Sequence, residues 1–123
     1  MTHDPNLTFD EYQQHAYSTD TMCNPDRNGR GDLVYPTLGL AGETGEVVDK
    51  VKKLWRNKQI TDGELLSQED KIALMLELGD VLWYFAALCT RMGVPMSSVA
   101  SLNQQKLDDR RSRGVIRSEG DNR

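Results

Sequence analysis

The chain has 123 residues, of which 37% are hydrophobic and 28% are charged, and it carries a net charge of −4 with a pI near 5.1. A chain of this length is typical of one domain with one hydrophobic core, so we predict a single domain over residues 1–123. The acidic balance argues against nucleic acid as a partner, because proteins that bind nucleic acids usually carry excess positive charge.

Cysteine usage and the distribution of apolar residues predict a cytoplasmic protein. Cys23 and Cys89 are far apart and match neither a disulfide framework nor a zinc site. Residues 1–10 lack the apolar segment of a signal peptide. The most apolar stretch, residues 72–89, contains Glu77 and Asp80. A membrane span seldom carries two acids at its middle, so we predict no membrane segment.

Local signals predict a first helix over about 9–18 and then a loop. Thr8 and Glu11 form a capping box at the expected start of this helix. Residues 19–32 contain Pro25, Gly29 and Gly31, which are typical of a loop.

Apolar residues at helical spacing predict three further helices, over about 35–56, 68–92 and 97–111. The second helix carries three glycines at intervals of three residues, which leave room on one side for another helix. The third helix is apolar almost all round, so we expect it to be central and buried, with Gly93 as its C-cap. Residues 112–123 are predicted to be a flexible polar tail. No alternating strand pattern is present, and the predicted fold is all-α.

Two pairs of carboxylates stand out on the second and third helices. Glu43 and Glu46 are three residues apart, as are Glu77 and Asp80. Residues at this spacing share one face of a helix, so antiparallel packing of the two helices would bring four acids together. Glu77 and Asp80 are the more informative pair, because they interrupt the most apolar helix. Buried charges are normally paired or bound to metal ions.

Oxygen-only ligands favour magnesium, calcium or manganese over zinc or copper. Magnesium also binds substrate phosphates while it keeps several waters, so the four acids suggest phosphate chemistry. Other interpretations stay open at this point. Glu43 and Glu46 would also fit a solvated helix face, and Glu77 and Asp80 would fit a structural network with basic side chains.

Basic and aromatic residues near the acids are candidate substrate contacts. Lys50 and Lys53 follow Glu46 on nearly the same side, where they would neutralise phosphates or form salt bridges on a wet surface. Tyr84 lies four residues after Asp80 and would either fill the core or flank a nucleoside. Asn103, Lys106 and Arg110 form a polar stripe on the fourth helix, which fits a phosphate-binding rim or a solvated face.

The two acid pairs, Glu43-Thr44-Gly45-Glu46 and Glu77-Leu78-Gly79-Asp80, resemble the E-x-x-E and E-x-x-D signature of the MazG-like nucleotide pyrophosphohydrolases. The flanking residues 38–42 and 49–53 are similar to those of short, single-domain phage and bacterial members. The resemblance covers about 35–123. Many members carry a further Glu where this chain has Gly42, so the group that activates water stays open.

The resemblance implies an all-α fold that assembles into a homodimer or homotetramer, in the host cytoplasm if the protein is phage-encoded. It implies magnesium, with manganese as a substitute, held by Glu43, Glu46, Glu77 and Asp80. It also implies hydrolysis of nucleoside triphosphates, often deoxynucleotides, to monophosphate and pyrophosphate. Tyr84 and Asn103 would contact the nucleoside, and the phosphates would be bound by Lys50, Lys53, Lys106 and Arg110.

Three other functions compete with this one. A di-iron four-helix bundle requires Glu-x-x-His pairs, and neither histidine lies near the acids. A non-catalytic helical oligomerisation or regulatory module would show no dependence on divalent metals. Nucleic-acid binding by the arginines of the tail would have to be strongly salt-dependent, and the acidity of the chain speaks against it.

Overall fold

A computed structural model describes residues 3–57 and 66–114, and it shows an all-α fold with no strand among these residues. Four α-helices follow one another: α1 (Phe9–Ser18), α2 (Val34–Arg56), α3 (Gln68–Met92) and α4 (Met96–Ser112). A single 3-10 turn, Pro25–Arg27, interrupts the loop between α1 and α2. The predicted tail beyond residue 114 and most of the segment between α2 and α3 lie outside the described residues.

Local caps define three of the helix ends, as predicted for Thr8 and Gly93. At α1 the hydroxyl of Thr8 accepts from the amide of Glu11, and the Glu11 carboxylate accepts from the amide of Thr8. Hydrogen bonds from the Thr8 amide and the Thr8 hydroxyl to the Glu11 carboxylate lower the pKa of Glu11. Ser67 caps α3 by accepting from the amide of Asp70. α3 ends at Gly93, whose φ of 73° lies in the left-handed region that glycine adopts most readily.

The core lies where α1 crosses the C-terminal half of α3 and the start of α4. Ala16, Ala86, Cys89 and Met96 are buried together, with Trp83 and Phe85 among the larger side chains packed against them. Burial of the thiol raises the pKa of Cys89. The small residues allow α1 to lie close to α3, and this packing fixes the end of α3 that is nearest to the loop between α1 and α2.

Side chains of α1 cap the N-terminus of α4. The first residues of a helix have amides without intrahelical partners, and α4 has no side-chain cap of its own. Gln13 Oε1 accepts from the Met96 amide at 2.8 Å, and Asp10 Oδ1 accepts from the Ser97 amide at 3.0 Å. The position of α4 is therefore tied to that of α1.

The prediction that α3 is buried along its length was wrong for its N-terminal half. α3 is central, since it packs against both α1 and α2, but its buried residues all belong to its last two turns. Met75, Leu76 and Leu78 are more than half exposed in the single chain. α3 is also long and apolar enough to cross a membrane, by length and composition only, a test that the core helix of a soluble protein passes as well.

Candidate functional site

Three carboxylates from α2 and α3 meet between the two helices. One ligand oxygen each from Glu43, Glu77 and Asp80 lies within 4.8 Å of the others. The i,i+3 spacing on α3 turns both of its acids toward α2, which is the reason that the sequence brings them together. We call these three residues the carboxylate cluster. Its donors are oxygens only, which fits a hard divalent cation such as Mg²⁺ or Mn²⁺.

The electrostatics of the cluster also favour a cation. Burial raises the pKa of Glu43, and the negative charges of Asp80, Glu77 and Glu46 raise it further. Like charges that converge in this way repel one another until a cation or a proton compensates them. A divalent ion among the three oxygens would remove that repulsion.

Glu46 lies one turn after Glu43 on α2 and is exposed. It is close enough to raise the pKa of Glu43, yet it does not belong to the group of three. Its role as a metal ligand or a catalytic group stays a prediction, as do the ligand roles of the three cluster residues.

The two predicted phosphate-binding lysines of α2 differ in their surroundings. Lys50 Nζ lies 2.9 Å from Glu77 Oε1, so this lysine reaches across to α3 and contacts the carboxylate cluster. Lys53 instead forms an i,i+4 ion pair with Asp49, which also pairs with Lys52. Hydrogen bonds from these two lysines lower the pKa of Asp49 to about 2. The geometry therefore connects Lys50, but not Lys53, with the cluster.

A pocket of about 400 Å³ opens beside the cluster, and its volume is within the range typical of small-molecule sites. Its lining combines two cluster acids with aromatic and hydroxyl side chains: Thr19, Glu43, Asp80, Trp83 and Tyr84. Acids and aromatic rings therefore share one concave surface.

Two residues of this pocket are not among the predicted site residues. Trp83 packs against the core, and its indole N–H also donates to Thr19 Oγ1 at 2.8 Å at the pocket. Its position three residues after Asp80 was the available signal, since both share a helix face. No sequence pattern indicates that Thr19 lines the pocket, because the path of the chain after α1 brings it to that position.

Tyr84 lies beside the cluster, as its spacing from Asp80 predicted. Its ring meets Trp83 edge to face at a centroid distance of 5.0 Å, and the ring of Tyr35 lies 6.1 Å away. A hydrogen bond with Tyr35 raises the pKa of Tyr84, and burial and the nearby carboxylates act in the same direction. Its expected contact with a nucleoside stays a prediction.

The predicted contacts on α4 are not among the residues that line this pocket in the part of the chain that the structure describes. Asn103 lies near the middle of α4, Lys106 and Arg110 lie in its second half, and the main packing partner of α4 is α1. Nearby, Arg111 and Arg113 pair with Asp108 and Asp109 on the helix surface. The substrate-binding role of the α4 stripe stays a prediction.

The sequence matches the family described as "MazG nucleotide pyrophosphohydrolase domain" over residues 36–115. The chain belongs to this MazG family. The match includes both acid pairs and the helices that carry them, so the family resemblance of the sequence is confirmed. The chain is also similar to the "Gene 37 protein" of Mycobacterium phage L5, with 45% identity over 123 residues that cover 95% of this chain and 100% of the relative. No solved structure matches this MazG chain.

Proposed function

We propose that this MazG chain is a magnesium-dependent nucleoside triphosphate pyrophosphohydrolase. It hydrolyses a nucleoside triphosphate to a monophosphate and pyrophosphate, and we expect the substrate to be a deoxynucleotide. The observation that carries the proposal is the meeting of Glu43, Glu77 and Asp80 within 4.8 Å beside a pocket with aromatic walls. Family membership supports the reaction class.

Different residues have different roles in the proposed reaction. Glu43, Glu77 and Asp80 would hold magnesium, with Glu46 as a further ligand or as the base that takes the proton from water. Magnesium supplies charge neutralisation and lowers the pKa of water when bound. Lys50, which already contacts Glu77, would neutralise phosphate charge. Phosphoryl transfer depends mainly on such positioning and electrostatic stabilisation.

Substrate contacts of the remaining predicted residues belong to the same proposal. Tyr84 lines the pocket and would contact the nucleoside. Asn103 would add a second nucleoside contact, and Lys53, Lys106 and Arg110 would bind the pyrophosphate that leaves. Water adds to the triphosphate as the anhydride bond between the α- and β-phosphates breaks, and the proton passes to a carboxylate.

We further propose that the active form is a homodimer or homotetramer. The exposed apolar side chains on α2 and α3 support this, since their burial against a second copy would be favourable: Leu38, Val48, Trp55, Met75, Leu76 and Leu78. Cover by a second copy accounts for the apolar character of α3 without a membrane. We propose a cytoplasmic location, where nucleotide substrates are found, and no nucleic-acid partner.

The test is to incubate the purified protein with a panel of NTPs and dNTPs, with Mg²⁺ or with EDTA, and to separate the products. We expect monophosphate and pyrophosphate with Mg²⁺ only, with loss of turnover in folded Glu46→Gln and Asp80→Asn variants. The absence of turnover of every nucleotide with Mg²⁺ or Mn²⁺ would favour a non-catalytic helical module.

A further inference from the structure

The ring of Tyr84 lies directly on the backbone of Gly39. A Cβ atom at Gly39 would lie 2.1 Å from Cε1 of Tyr84 and 2.5 Å or less from two further ring atoms. Contacts below 3.0 Å essentially never occur for real Cβ atoms, so any larger residue would displace the ring. At Gly42, the next glycine on the same helix, a Cβ atom would meet no other atom within 4 Å among the described residues. Gly39 therefore sets the position of Tyr84.

Tyr35 extends the aromatic surface that Tyr84 and Trp83 begin. It lies four residues before Gly39, on the same face of α2 as Gly39 and Glu43. Its ring is tilted by 59° to that of Tyr84, and 37% of Tyr35 remains exposed. Trp83 therefore meets Tyr84, and Tyr84 meets Tyr35, in a row of three rings that begins beside the carboxylate cluster.

Arg91 fixes Tyr35 from the other side. The guanidinium carbon lies 5.6 Å from the centroid of the Tyr35 ring, a cation–π arrangement. Arg91 is only 3% exposed, and its Nη2 lies 3.2 Å from Oδ2 of the buried Asp20. Its Nη1 has no hydrogen-bond partner in the described part of the chain.

Arg91 also anchors the loop that leads into α2. Its carbonyl accepts a hydrogen bond from the Gly31 amide at 3.1 Å, while its side chain holds Asp20 near the start of the same loop. One residue of α3 therefore holds both ends of residues 20–31 and the first turn of α2. The loop is docked on α3 rather than standing away from it.

We propose that Tyr35 joins Tyr84, the expected nucleoside contact, in a wall against the base of the nucleotide, and that Gly39 and Arg91 are positioning residues for this wall. The inference rests on the proposed function. The pocket is lined both by cluster carboxylates and by aromatic rings, so the metal and phosphates belong against the carboxylates and an aromatic base against the rings. Stacking on aromatic rings is tolerant of base identity. We therefore expect the wall to bind any base and not to select one.

The experiment compares Gly39→Ala with Gly42→Ala as its matched control. Both changes add one methyl group to α2, but only the methyl at residue 39 meets Tyr84. We expect Gly39→Ala to raise the KM for a dNTP about tenfold at nearly unchanged kcat, because loss of base stacking weakens nucleotide binding by roughly that factor. Gly42→Ala should keep the KM of the parent. Tyr35→Leu should behave like Gly39→Ala without a change in the helix backbone.

Two further readouts separate a role in base contact from a general structural role. The inhibition constant of inorganic tripolyphosphate, which lacks a nucleoside, and the Kd of Mn²⁺ alone should stay unchanged in Gly39→Ala. An equal KM in the two glycine variants, or a parallel loss of tripolyphosphate binding, would overturn the inference while the proposed function stands. No nucleotide turnover by the parent protein would instead reject the proposed function, and the inference with it.

Discussion

Lys50 Nζ lies 2.9 Å from Glu77 Oε1, so α2 contributes a cation as well as a carboxylate to the cluster. The lysine is two-thirds buried and Glu77 more so. An ion pair that joins two helices beside a candidate metal site can serve the substrate as well as the fold.

Replacement of Lys50 tests its contact with phosphate. We expect Lys50→Met to lower kcat/KM for a dNTP about tenfold or more, since hydrogen bonds to charged groups contribute roughly 1.5–3 kcal/mol. Lys52→Met is the matched control, because Lys52 pairs with Asp49 on the outer surface of the same helix. Steady-state kinetics of both variants test this prediction. An equal loss of kcat/KM in the two variants would contradict a specific role for Lys50.

The buried pair of Arg91 and Asp20 predicts a large effect on stability. Arg91→Met leaves the buried Asp20 carboxylate without its partner, which should lower the free energy of unfolding by about 3–5 kcal/mol. The double variant Asp20→Asn and Arg91→Met should recover part of this loss. Arg111→Met, which removes an exposed pair with Asp108, should change little. Urea unfolding of all four proteins checks the prediction, and a small effect of Arg91→Met would contradict it.

The contact of Asp10 with Ser97 predicts how stability depends on pH. The Ser97 hydroxyl and amide donate to the Asp10 carboxylate at 2.7 and 3.0 Å and lower its pKa below the ordinary 3.8. The Asp10 carboxylate therefore binds its proton more tightly in the unfolded chain than in the folded protein. The stabilisation is complete above pH 3.8 and is lost as the pH falls through the lowered pKa of the folded state.

Thermal unfolding of Asp10→Asn measures this contribution. We expect the variant to have a lower Tm than the parent near neutral pH, because it loses the charged cap of α4. The two Tm curves should converge in acid, where the parent carboxylate is protonated as well. Curves that stay parallel down to the acid limit would show that the charge of Asp10 does not stabilise the fold.

The exposed apolar side chains of α2 and α3 predict association through these two helices. Leu76→Asp should reduce the molar mass in size-exclusion chromatography with light scattering, because it places a charge in the proposed interface. Leu102→Asp is the matched control, since Leu102 on α4 is 65% exposed and Leu76 is 62% exposed. A parent protein that is monomeric, or a Leu76→Asp protein of unchanged mass, would contradict the proposed oligomer.

The features that could be predicted from sequence are those fixed by local physics. Helix ends follow from caps such as Thr8, Ser67 and Gly93, which act within a few residues. The meeting of Glu43 with Glu77 and Asp80 follows from helical spacing once α2 and α3 pack together. These signals need no knowledge of the rest of the chain.

The features that were missed depend on the tertiary path of the chain. Thr19 and Tyr35 reach the pocket region because Arg91 holds the loop between them on α3. No periodicity encodes such a contact. The exposure of Met75 and Leu76 was missed for a different reason. An apolar helix surface has the same sequence pattern whether it is buried by its own chain or by a second copy.

Metal-dependent release of pyrophosphate tests the central claim most directly. Pyrophosphate production from a dNTP and binding of Mn²⁺ would be measured on the same samples of parent, Asp80→Asn and Glu69→Gln protein. Glu69 lies exposed in the first turn of α3, two turns before Glu77, and serves as the control acid. We predict that parent and Glu69→Gln bind Mn²⁺ and release pyrophosphate only with a divalent ion, and that folded Asp80→Asn loses both properties. Turnover that persists in EDTA, or an Asp80→Asn protein that binds and hydrolyses like the parent, would contradict the account.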